Sequence, residues 1–174
     1  MMRACLALPV LFVALCGPAA LAQTLKGHNT NAPVDFTADR IEVQDRADRV
    51  VVSGNVVVKQ SGMTMTAQRL TVAYHQAGGV EIDRMDASGG VVVTRANERA
   101  SGNVAIYDLN RRLITMVGSV QLIQGANRLS GQRLLIDLAS GRSTVDGRAS
   151  GAPGTGTSSS GRVSGTFKVR PTGN

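Results

Sequence analysis

Two histidines, one run of acidic residues and scattered serines are the only side chains from which this sequence could build catalysis. His28 sits in a polar, patternless stretch and His75 beside a turn; neither has a sequence partner that would make it a proton relay. Glu81, Asp83 and Asp86 crowd one short segment. They superficially resemble a carboxylate pair or a calcium loop, but the ligand spacing and the turn glycine of such a loop are missing, and a solvated turn accounts for them. No serine stands in a nucleophile elbow. There is no phosphate-cradling glycine loop and no zinc-ligand spacing. The reading is a chain that is not an enzyme, with no catalytic residue, no metal site and no cofactor.

The two cysteines, Cys5 and Cys16, belong to a leader. Arg3 gives it a small positive start, residues 4–16 are apolar apart from Pro9, and Ala20-Leu21-Ala22 forms a small-x-small cleavage site before Gln23. That is a cleavable secretory signal over residues 1–22, too short for a membrane span. A lipoprotein signal on Cys16 is the rival, disfavoured by Leu15 where a small residue is wanted. Cleavage leaves roughly 150 residues with no cysteine, so a disulfide framework is excluded although the destination lies outside the cytosol.

The chain carries 19 Lys and Arg against 12 Asp and Glu, a net charge of +7. Scattered charges on outward strand positions explain this as solubility. Attraction to anionic lipid or an acidic protein face explains it as function, since arginine's fork suits phosphate. Nucleic acid is excluded as a partner: two Tyr, three Phe and no Trp give no stacking platform.

The elements that must position any site are β-strands. Gly54-Asn55-Val56-Val57-Val58 returns as Gly89-Gly90-Val91-Val92-Val93 and as Gly118-Ser119-Val120-Gln121-Leu122. A second pattern interleaves with it, running through Ala38-Asp39-Arg40-Ile41-Glu42-Val43, Ala67-Gln68-Arg69-Leu70-Thr71-Val72, the degenerate Ser101-Gly102-Asn103-Val104-Ala105-Ile106, and Gly131-Gln132-Arg133-Leu134-Leu135-Ile136. Self-similarity at about 30 residues means a strand–turn–strand unit stacked several times. Apolar residues alternate with polar ones from Pro33 onward, and no window carries helical spacing, so the fold is all-β and antiparallel with almost no helix. The recurring glycines mark bulges where the sheet bends, as in a jelly roll or a partly open barrel. Asp86-Ala87-Ser88-Gly89-Gly90 reads as a turn between two short strands.

Four segments follow: the signal peptide (1–22), a flexible N-terminal stretch (23–32), the β domain (33–147) and a flexible, basic Gly/Ser-rich tail (148–174). Alternation returns at 163–169, where a docking strand and a plain basic tail compete and the tail reading is preferred. The interior is aliphatic and poor in aromatics. It is either a filled core or a groove whose Val, Ile, Leu and Met side chains adapt to acyl chains, and periodicity does not separate the two.

Residues 33–147 resemble the OstA-like family. The resemblance is carried by 38–43, by Val50-Val51-Val52-Ser53-Gly54-Asn55-Val56-Val57-Val58-Lys59-Gln60, by 63–72 with Ala67-Gln68-Arg69-Leu70, and by Gly118-Ser119-Val120-Gln121-Leu122-Ile123-Gln124. Members carry lipopolysaccharide between the two membranes of Gram-negative bacteria. The cleavable signal and the short tail make this chain most similar to the soluble periplasmic branch. The resemblance implies a twisted, V-shaped antiparallel β-jelly roll, a periplasmic location and a groove for lipid A acyl chains. It also implies head-to-tail homo-oligomers, an inner-membrane anchored OstA-like partner and the N-terminal OstA-like domain of an outer-membrane translocon. The implied lipid-facing residues are Val34, Phe36, Ile41, Val43, Val52, Val56, Val58 and Met65, continuing with Leu70, Val72, Tyr74, Val93, Tyr107, Leu109 and Leu122. A periplasmic scaffold that binds proteins without lipid, and a secreted jelly-roll carbohydrate-binding module, are the alternatives.

Overall fold

The computed structural model describes residues 28–147 and 161–168; the expected signal peptide over 1–22, residues 23–27 and the rest of the tail lie outside them. Ten strands follow in order: β1 Asp35–Thr37, β2 Arg40–Gln44, β3 Arg49–Gln60, β4 Met63–Gln76, β5 Val80–Arg95, β6 Glu98–Asp108, β7 Leu113–Gln124, β8 Asn127–Asp137, β9 Arg142–Asp146 and β10 Ser164–Thr166. One 3-10 turn, Asp45–Ala47, is the only helical element among the described residues. Strands β3 to β8 pair with their sequence neighbours, all antiparallel, in a single unclosed sheet. The fold is the all-β, antiparallel one with almost no helix expected from the sequence, built as an up-and-down meander.

Each long strand is interrupted near its middle. Register shifts fall between Ser53 and Val56, Thr66 and Arg69, Ser88 and Val91, Ser101 and Val104, and Val117 and Val120. The repeated glycines sit in these bulges, and each begins two consecutive left-handed residues: Gly54 and Asn55 (φ 76° and 46°), Gly89 and Gly90 (87° and 77°), Gly118 and Ser119 (82° and 50°). Glycine adopts that backbone without a Cβ penalty. The second sequence pattern supplies what lies against them: a Cβ on Gly54 would strike Asp39, one on Gly89 would meet Gln68, and one on Gly118 would meet Asn103. The two interleaved repeats are thus two sides of one corner.

The line of bulges divides the sheet into two layers. β2 and β9 extend the layer that includes residues 49–53 of β3 and 133–137 of β8. β1 and β10 extend the other, pairing with residues 57–59 of β3 and 128–130 of β8. Tyr107 and Gln60 show that the layers face each other. They belong to strands separated by β4 and β5, yet the Tyr107 hydroxyl lies 3.0 Å from the Gln60 carbonyl oxygen.

Two expectations are corrected. Residues 86–90 are not a turn but the bulged middle of β5, which runs unbroken from Val80 to Arg95; two left-handed residues serve a bulge as well as a turn, so the residue types do not distinguish them. In the tail, Ser164–Thr166 pairs with β8, so this stretch docks as a strand.

Candidate functional site

Alternation along the strands aims one set of side chains between the layers. Val52, Val56, Val58, Met65, Leu70, Val72, Tyr74, Val93, Tyr107 and Leu122 are buried there. Val34, Phe36 and Leu109 are partly buried against the same cluster. The structure adds Met63, Met85, Val91, Ile114, Met116, Val120, Leu134, Ile136 and Leu138. Ile114 with Met116, and Leu134 with Ile136, were readable from alternation; Ala87, Ala100 and Ala105 share the interior but are too small to announce a face. All four methionines of the described residues are buried in it, which gives it unbranched, polarisable side chains that repack at low cost.

Ile41 and Val43 behave differently. They pair with Val52 and Val50, and directly opposed residues in an antiparallel pair share a face, so both look inward. Nevertheless they are 53% and 60% exposed, because β2 is an edge with no strand beyond it among the described residues. Val80 is similar. It opposes Gln76 at the tip of the β4–β5 hairpin, two residues from the inward Ile82, and is 66% exposed. The apolar face is therefore covered in the middle and open at its rim.

One part of that rim holds a polar cluster. His28 is not a free residue of a flexible lead-in but is buried, its Nε2 3.1 Å from Gln60 Oε1 and its ring 6.4 Å from that of Tyr107. Gln60, itself buried, donates from its amide nitrogen to the backbone carbonyls of Thr30 and Ala32 at 2.9 and 3.0 Å. Residues 28–34 thus form a strap across the end of the two layers. Between the strap, residues 80–82 and Leu109-Asn110 lies a cleft of about 460 Å³. Burial lowers the His28 pKa, the Gln60 hydrogen bond opposes that shift, and Arg95 reinforces it. Burial raises that of Tyr107 far above the usual phenol range.

The acidic run forms an exposed tie. His75 Nδ1 is 3.0 Å from Asp83 Oδ1, His75 Nε2 is 3.5 Å from Glu81, and Asn110 donates to Asp83 at 3.0 Å. Hydrogen bonds from Asn110 and then His75 lower the Asp83 pKa. Asp86 pairs with Arg84 instead. Among the described residues no group of three or more acidic, histidine or cysteine side chains is arranged to hold a metal ion.

Comparison with known proteins identifies this architecture. The sequence model of the family described as "LptA/(LptD N-terminal domain) LPS transport protein" matches residues 35–142. The chain belongs to that family. The match takes in every strand from β1 to β8. An uncharacterized protein of Rhizobium meliloti (strain 1021) is 29% identical over 156 residues, covering 82% of this chain and 84% of that one. The crystal structure of LptH, the LptA-homologous periplasmic component of the lipopolysaccharide transport device of Pseudomonas aeruginosa, superposes with a TM-score of 0.69 at 19% identity. That alignment covers 79% of this chain and 96% of LptH, and the likeness is one of fold.

Proposed function

We propose that this chain is a periplasmic bridge that binds lipopolysaccharide and passes it from the inner to the outer membrane. Lipid A acyl chains lie between the two layers while sugars and phosphates stay in water. The observation that supports this most is the open rim, where Ile41, Val43 and Val80 look inward but remain exposed. An exposed methylene costs about 0.8 kcal/mol, so one roughly 12-carbon acyl chain crossing water unaided costs on the order of 10 kcal/mol. A continuous apolar face removes most of that barrier.

Continuity needs assembly. The sheet ends in short strands on both sides, β1 and β2 at one end and β9 and β10 at the other. Their unpaired backbone groups suit edge-to-edge addition of a second copy, of an inner-membrane anchored OstA-like partner, or of the N-terminal OstA-like domain of an outer-membrane translocon. A head-to-tail contact of this kind need not close and so builds a filament.

Lipid analysis of the protein purified from a Gram-negative periplasm tests the reading. Lipopolysaccharide that remains bound through purification supports a conduit; a folded, lipid-free protein that captures only protein partners contradicts it in favour of a scaffold.

A further inference from the structure

Gln60 is the polar centre of the strap. Its amide can make four hydrogen bonds, and the structure fills them all: Tyr107 and His28 on Oε1, the Thr30 and Ala32 carbonyls on Nε2. Only the Tyr107 bond joins it to the sheet; the others come from residues 28–32. Gln60 also lines two clefts at once, the one of about 460 Å³ with Val34, Ile82 and Leu109, and a second of about 230 Å³ with Pro33 and Met63. It is a buried polar group at the boundary between an aliphatic interior and water.

We infer that the strap stands in for the carbonyl end of an acyl lipid, and that strap and ligand compete for Gln60. The inference rests on the lipid-conduit reading and adds what the entrance selects. An occupant that displaces one of the two strap carbonyls leaves a Gln60 N–H donor buried and unpaired unless it brings an acceptor of its own. Leaving such donors unsatisfied is costly, whereas exchanging one carbonyl for another is nearly neutral. An ester- or amide-linked acyl chain brings a carbonyl at the junction of headgroup and tail, where Gln60 sits between interior and rim. An alkyl ether of the same length fills the apolar space equally well but offers a weaker, singly placed acceptor. Gln60 therefore selects for acyl linkage, and His28, which bonds to Gln60 and packs near Tyr107, sets how firmly the strap resists displacement.

Calorimetric titration of the purified mature chain with a dodecanoyl glycerol ester and the matching dodecyl glycerol ether, both below their micellar concentrations, tests this. The ester is expected to bind roughly tenfold more tightly, the factor set by an unsatisfied buried donor. Gln60→Met is expected to abolish that preference, and His28→Ala, which leaves the aliphatic interior untouched, to tighten both ligands by loosening the strap. Equal affinity for ester and ether in the unaltered chain overturns the inference and leaves the conduit reading standing, and it needs no core substitution to be seen. Ester and ether binding unaffected by His28→Ala overturns the competition between strap and ligand. Failure of every chain to bind either ligand overturns the lipid reading, and the inference with it.

Discussion

The Tyr107 hydroxyl donates to Gln60 Oε1 at 3.0 Å across the interior, joining the two layers through side chains whose strands are not neighbours. Tyr107→Phe removes that bond while His28 still reaches the same oxygen. The expected loss is about 1 kcal/mol of unfolding free energy. Tyr107→Ala also empties the space of a fully buried ring and should cost about 3–5 kcal/mol. Urea denaturation of both variants checks the difference; equal losses would mean that the ring contributes only through its hydroxyl.

A turn glycine and a bulge glycine separate two costs. Gly62 and Gly118 both have φ near 80°, but a Cβ on Gly62 meets nothing within 4 Å while one on Gly118 would lie 2.6 Å from Asn103 Nδ2. Gly62→Ala should cost about 1 kcal/mol, the penalty of left-handed backbone alone. Gly118→Ala should cost about 2–3 kcal/mol, because the same backbone penalty is joined by displacement of Asn103. Thermal melts of the pair measure it, and similar midpoints would contradict the packing of Asn103 over this corner.

Acid should loosen the strap. The His28 pKa is lowered from 6.5 by burial, so below that value the undocked strap binds more protons than the docked one. Docking stability is then complete above about pH 6.5 and is lost as pH falls through the lowered value. Gln60, whose hydrogen bond opposes the shift, Arg95, which disfavours a second positive charge, and the Tyr107 ring all face the imidazole. Following the His28 ring resonances by NMR is expected to give a titration midpoint below 6.5, and His28→Phe to flatten the acid-side loss. A midpoint at or above 6.5 would contradict burial of a neutral ring.

The tail should limit assembly. β10 is three residues long, wholly exposed, and occupies the edge of β8 at Arg128–Ser130. An incoming strand that pairs with β8 itself along these residues must replace it. Truncation after Gly147 is expected to shift self-association to lower concentration in sedimentation experiments; unchanged or weaker association would show that β10 does not compete with a second copy.

Much of this fold was legible in the sequence because local physics dictated it. Alternation around Val52, Val56 and Val58 gave the strand and its inward face, and the spacing of Gly54, Gly89 and Gly118 gave the corners. What failed was long-range or ambiguous. His28 and Gln60 meet through tertiary packing that no local signature marks. Residues 86–90 carry turn chemistry that a bulge uses equally. Alternation shows which face Ile41 and Val43 occupy but not that an edge strand leaves them uncovered. At β10 the alternation that offered a docking strand was outweighed by the surrounding Gly/Ser composition, although a strand can pair through its backbone groups whatever its side chains.

Photo-crosslinking in living Gram-negative cells tests the central claim most directly, with a photoreactive residue placed at Ile41, Val43 or Val80 and at the outward controls Glu42 and Thr71. The account predicts lipopolysaccharide adducts at the three inward rim positions and none at the controls. A folded, periplasmic protein that gives no adduct at the rim, or equal adducts on both faces, would contradict it.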